Sequence, residues 1–267
     1  METILLLTIF IFGTIVGSFL NVAIFRYNTG RTVGGRSACM TCSKTLQWSN
    51  LIPVLSYVLQ LGKCSYCKSK ISFQYPLVEV LTGFVFMLVA SATGFSWAMV
   101  FYLAVFSILI VIAVYDYKHK IIPDGLAFTL IALGALRLSY EYFAGFSGFG
   151  VDLWSALGLF VFFASLWFVS KGAWMGFGDA KLALGLGLIL PYCENVSAIM
   201  LSFFAGSIYG IIAILVSKVC SSLCGKKFSF DHEIPFAPFM ILGALAVFAL
   251  HFDVLSLLTS GTIACVR

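Results

Sequence analysis

Trp97-Ala-Met-Val-Phe-Tyr-Leu-Ala-Val-Phe-Ser-Ile-Leu-Ile-Val-Ile-Ala-Val-Tyr115 carries no charge and ends against Asp116. As a helix, a run of this length crosses the roughly 30 Å hydrocarbon layer of a bilayer. Comparable runs lie on either side of it: Thr3–Phe25, Leu77–Ala92, Gly125–Tyr142, Leu153–Ser170, Ala180–Leu190, Val196–Ser217 and Pro235–Phe252. All read as helices, because a backbone in lipid must satisfy its own hydrogen bonds, and none alternates as a barrel strand does. The run before Pro191 is short and needs Met175–Asp179 to reach across. The first run lacks the basic residues before it and the small-residue site after it that mark a signal peptide.

The composition agrees. The chain of 267 residues is 61% apolar and 10% charged, against about half and a quarter for soluble domains, and its mean hydropathy is +1.05. A soluble enzyme, a disordered chain and a single-anchor protein are excluded. The expected fold is an all-α polytopic membrane protein of about eight transmembrane helices with a small cytoplasmic loop domain. Of the 16 Lys and Arg residues, this topology puts all but Arg137 and Arg267 on one side, which is then cytoplasmic. Both termini then lie outside. The net charge of +5 follows from these loops and implies the lipid bilayer, not nucleic acid, as the surrounding partner.

The first loop, residues 26–75, holds basic residues and no acid. Within it Cys39-Met-Thr-Cys42 is followed by Cys64-Ser-Tyr-Cys67. Paired C-x-x-C turns at this spacing form a four-thiolate zinc site, structural because four ligands leave no open position. Two disulfides would be the alternative, but a loop facing a reducing compartment disfavours them. Cys193, Cys220, Cys224 and Cys265 have no partner motif and read as simple thiols. There is no internal repeat.

Eleven acidic residues are few enough to inspect singly. Glu2, Glu141, Asp152, Glu194 and Asp253 read as solvated outer groups, Asp231 and Glu233 as part of a polar segment, and Glu79 as half of an ion pair with a loop cation. Asp116, Asp124 and Asp179 sit at the cytoplasmic ends of spans, where a carboxylate is costly and suggests function. Asp124, next to Pro123, suits a helix start. Asp116 and Asp179 suit a carboxylate pair, one group activating water while its protonated partner polarises the carbonyl or protonates the leaving amine. Gly176 and Gly178 remove side chains where a substrate backbone would approach. A proton or metal-ion carrier using the same carboxylates is the rival class, and a non-enzymatic assembly partner a second.

Taken together the motifs resemble the bacterial type IV prepilin peptidases (leader peptidase and N-methyltransferase), of the G-x-G-D class of intramembrane aspartic proteases. Gly17-Ser-Phe-Leu-Asn-Val22 is similar to the opening motif. Arg36 through the four cysteines to Tyr75-Pro-Leu-Val-Glu79 resembles the zinc-loop signature. Asp116 with Ile122-Pro-Asp124, Gly176-Phe-Gly-Asp179-Ala-Lys181-Leu and Ile234-Pro-Phe-Ala-Pro238 resemble the remaining motifs, with Ala237 where the family usually has Gly. The resemblance implies catalysis by Asp116 and Asp179, supported by Gly176, Gly178, Lys181 and Asp124. It implies cleavage of the short basic leader of prepilins or pseudopilins after a glycine, at the cytoplasmic face of the bacterial inner membrane. It further implies methylation of the new N-terminus with S-adenosylmethionine, on a region formed by residues 1–25 and 26–75 beside a peptidase core of 76–267. An enzyme that only cleaves is the nearest alternative. Helix dipoles would make Asp179, at a helix start, the base and Asp116, at a helix end, the acid.

Overall fold

The computed structural model describes residues 2–29, 34–146, 148–224 and 234–250. Arg31, Lys226, Lys227, Asp231, Glu233, Asp253, Cys265 and Arg267 lie outside the described residues, as do the side chains of Glu2, Lys218, Cys220 and Cys224. The described chain is helical, with no strand beyond two isolated bridges. The long helices are α1 (Glu2–Arg26), α3 (Gln74–Thr93), α4 (Trp97–His119), α5 (Asp124–Phe143), α6 (Phe149–Ser170), α7 (Phe177–Ile189), α8 (Tyr192–Cys224) and α9 (Ala237–Leu250). A one-turn 3-10 helix, Trp48–Leu51, and the short α2 (Leu55–Leu59) lie in the first loop.

Among the described residues, six helices are long and apolar enough to cross a bilayer; α7 has 13 residues and the described part of α9 has 14. Many large apolar side chains on the long helices, such as Ile4, Leu7, Phe12, Phe128 and Phe168, are exposed. On a soluble monomer so much exposed apolar surface would drive association; here it belongs in lipid.

The chain divides into two compact units, one up to Val111 and one from Ile112. In the first, α1 packs along α3. A Cβ at Gly13 would come within 2.8 Å of Gly83 Cα, and one at Gly17 within 2.8 Å of Glu79 Cα. Gly13 and Gly17 are thus a small-x-x-x-small pair that lets two backbones touch. Ile9, Phe86 and Ala90 fill the contact toward the other end of the helices.

In the second unit, α7 is the centre: Ala180, Leu182, Ala183, Gly185, Leu186, Gly187, Leu188 and Ile189 are all buried. A helix apolar on every side belongs inside protein. Its 13 residues reach only about 20 Å; they include Phe177–Asp179 of the stretch that the sequence suggested, and α5 and α6 pack against the helix. Pro191 follows its end. A Cβ at Gly187 would meet Ala156 Cα at 2.7 Å, which sets how closely α6 approaches.

Three acidic residues depart from the sequence reading. Asp152 is buried, not solvated; its Oδ1 accepts from the Tyr192 N–H at 2.7 Å and its Oδ2 from Arg137 at 3.3 Å. Glu141 accepts from the same guanidinium at 2.7 Å. Arg137 thus balances two carboxylates and also donates to the Leu188 carbonyl, so the end of α7 is tied to α5 and α6. Glu79 forms no ion pair among the described residues; its Oε2 accepts the Val54 N–H at 2.7 Å. Cys193 is disulfide-bonded rather than a free thiol.

Candidate active site and metal centre

Asp116 lies one turn from the end of α4 and Asp179 in the first turn of α7. Both are buried, 5% and 8% exposed, and both belong to the second unit. They stand close enough for their charges to act on one another. Gly176 is extended and precedes α7. Its N–H donates to Asp179 Oδ2 at 3.2 Å, the half of a capping box in which the acid reaches back to the cap. The capping role and the site role therefore fall on one side chain.

Asp116 is held by a group that sequence reasoning missed. The N–H of Ala237, first residue of α9, faces its carboxyl. Asp116 Oδ2 is buried with no hydrogen-bond partner among the described residues. A buried carboxylate oxygen without a donor costs free energy unless water or substrate completes it. The local signal was Pro235-Phe-Ala-Pro238, which forces a helix to start there and leaves its first N–H groups pointing outward. Both carboxyls thus face a helix N-terminus, Asp179 that of α7 and Asp116 that of α9. Dipoles no longer distinguish base from acid.

The supporting residues sort by contact. Asp124 opens α5 without capping it by its side chain. Instead it pairs with Lys181 Nζ at 2.7 Å, with side chains 65% and 17% exposed. At that exposure the pair adds about 0–1 kcal/mol; its consequence is positional, since it ties the start of α5 to the turn carrying Asp179. Lys181 also lies over the rings of Phe177 and Phe128, at 5.2 and 5.4 Å from their centres. Gly178 makes room for this chain's own Ile122, whose Cβ would be 3.0 Å from an added methyl. Gly176 is open by comparison, its nearest atom being Asp179 Oδ2 at 3.6 Å.

The four cysteines of the first loop come together. The Sγ atoms of Cys39, Cys42, Cys64 and Cys67 lie within 4.8 Å of one another, and Cys39 and Cys67 are 3.8 Å apart. Tetrahedral zinc with Zn–S bonds of about 2.3 Å requires sulfurs about 3.8 Å apart, so the thiols fit the ion. The two knuckles repeat each other, a local duplication that the sequence reading passed over. Each is closed by a bridge, Ala38 to Thr45 and Lys63 to Lys70. Each puts the residue after its second cysteine, Ser43 or Lys68, at positive φ.

The thiols are prepared unequally. Backbone N–H groups of Cys42 and Thr41 hold Cys39 down at about 6, and the Ser69 hydroxyl and N–H lower Cys67. For Cys42 the Lys44 N–H pulls downward, but desolvation with the Cys39 and Cys67 neighbours outweighs it and leaves the thiol at about 11. One thiolate thus opposes the next until a cation arrives.

Comparison with known proteins follows this division. Residues 11–93 match the Bacterial Peptidase A24 N-terminal domain, and residues 103–215 the Type IV leader peptidase family. A prepilin leader peptidase/N-methyltransferase of Bacillus subtilis is 32% identical, the match covering 90% of this chain and 92% of that protein. Proteins of the same name are 33% identical in Neisseria gonorrhoeae (88% of both chains) and 31% in Pseudomonas aeruginosa (86% and 85%). No solved structure matches. On both domains and over most of its length, the chain belongs to the type IV leader peptidase family.

Proposed function

We propose that Asp116 and Asp179 are the catalytic pair of a prepilin peptidase that also N-methylates its product. The observation that carries the reading is that two buried carboxyls from distant parts of the chain share one unit, each with a helix N-terminus in front of it, and that one oxygen of Asp116 is unpartnered. The pair shares a proton. Its ionised member removes a proton from water, the water oxygen bonds to the scissile carbonyl carbon, and the protonated member gives its proton to the leaving nitrogen as the C–N bond breaks. The Gly176 and Ala237 N–H groups fix the two carboxyls, and the Asp124–Lys181 pair and Gly178 fix the turn beneath Asp179.

The substrates proposed are prepilins and pseudopilins, cleaved after a glycine. Their apolar helix lies in the bilayer and their basic leader outside it, so the scissile bond falls at the depth of span ends. That face is cytoplasmic by the distribution of Lys and Arg. The disulfide of Cys193, at the opposite ends of the spans in this topology, suits the oxidising side. The membrane proposed is the bacterial inner membrane, with residues 26–75 and 76–267 as loop and peptidase regions.

Zinc, held by Cys39, Cys42, Cys64 and Cys67, would supply folding energy to the loop, about 10–16 kcal/mol in small zinc domains. S-adenosylmethionine supplies an electrophilic methyl group when bound. A cavity of about 500 Å³ in the first unit is of a size for such a ligand. The test is to incubate purified protein with a prepilin and labelled S-adenosylmethionine, and to determine the product's new N-terminus and mass. A product that begins after the glycine and is heavier by one methyl group is expected; an intact prepilin sinks the reading.

A further inference from the structure

Glu79 is the one carboxylate between Thr3 and Tyr115, and it is buried in the wall of the 500 Å³ cavity. Arg26, Arg36, Tyr57, Tyr75 and Ser18 line the same cavity. Glu79 accepts a hydrogen bond from a neutral donor, the Val54 N–H at 2.7 Å, with the Ser18 side chain beside it. Holding Val54 for this purpose is costly, because a β-branched residue is kept at φ 60, ψ −50, a conformation worth about 1–3 kcal/mol of strain. A buried carboxylate surrounded by basic sequence, yet without a cationic partner among the described residues, lacks its counter-ion.

The cavity is polar in an ordered way. Ser18, beside Glu79, and Arg26 lie two turns apart on α1, about 12 Å. An anionic floor near the membrane therefore stands opposite a cationic rim. The Phe25 and Tyr75 rings stack at 5.0 Å between centres, adding a flat apolar wall. The ligand that matches is cationic at one point, anionic at another and carries an aromatic base.

We infer that this cavity is the S-adenosylmethionine site, with Glu79 as counter-ion of the sulfonium and the arginine rim facing the amino-acid carboxylate. The inference rests on the methylation reading above. It assigns the residues that the sequence left without names.

The experiment is a calorimetric titration of the purified zinc-loaded protein in detergent with S-adenosylmethionine and, separately, with S-adenosylhomocysteine, which lacks the positive sulfur. Glu79→Gln keeps an acceptor for Val54 and removes only the charge. It should weaken S-adenosylmethionine at least tenfold and S-adenosylhomocysteine less than threefold. Ser56→Trp, which fills the cavity from α2, should abolish binding of both while zinc content stays at one per chain. Equal weakening of both ligands by Glu79→Gln would overturn the sulfonium pairing. Unchanged binding in both variants would overturn the cavity, while methylation by the wild-type protein still stood. Wild-type protein that neither binds the donor nor methylates would overturn the methylation reading and the placement with it.

Discussion

The N–H of Ala237 faces the carboxyl of Asp116, bringing the first residue of α9 to the last turn of α4. The contact uses backbone, so a side chain at 237 matters little as long as it is small. It explains why a Pro-flanked helix start can serve the site with Ala in place of Gly.

Replacing the donor itself should be felt. Ala237→Pro suits a first helical position but has no N–H. A hydrogen bond to a charged group is worth about 1.5–3 kcal/mol, so cleavage should slow roughly 10- to 100-fold, mainly in kcat. Ala237→Gly should cleave within about threefold of wild type. Matched rates for Pro and Gly would remove this amide from the site.

The knuckle carries a metal prediction with a sign. At pH 7 Cys39, held at about 6, is already ionised, whereas Cys42, at about 11, is protonated. Zinc uptake must therefore release fewer than four protons, which calorimetry in two buffers of different ionisation enthalpy reads directly. Lowering the pH through 6 reprotonates Cys39, so uptake weakens on the acid side. Release of four protons at pH 7 would contradict the geometry around Cys39. Chelation, or serine at any of the four cysteines, should loosen the loop and reduce methylation more than cleavage.

The α1–α3 contact is testable through Gly17. A side chain there meets Glu79 Cα at 2.8 Å, and backbone cannot swing aside. Gly17→Leu should cost at least about 1–3 kcal/mol, lower the melting temperature by several degrees and impair methylation through Glu79. A melting temperature within one degree of wild type would refute the close packing.

What the sequence disclosed and what it hid have physical reasons. Apolar runs marked the long spans because lipid imposes length and polarity on every residue it touches. The same rule left the run before Pro191 short, and the helix begins earlier, at Phe177, because Gly176 and Asp179 cap its start. Asp116, Asp179 and the four cysteines stood out as candidates because their chemistry is rare at those places. Asp152 was misread because its partners, Arg137 and the Tyr192 amide, are distant in sequence. Ala237 and Val54 act through backbone N–H groups, which carry no residue-type signal. Glu79 was assigned an ion pair because a basic loop suggests one, whereas the fold gives it the Val54 N–H.

The most direct measurement is leader removal by Asp116→Asn, Asp179→Asn and the double variant, in membranes where each protein is shown to insert and hold one zinc. Groups that act as one unit are strongly non-additive. Each single variant should therefore lose at least about a thousandfold, and the double no more than either. Processing by one single variant at a tenth or more of the wild-type rate would contradict the account.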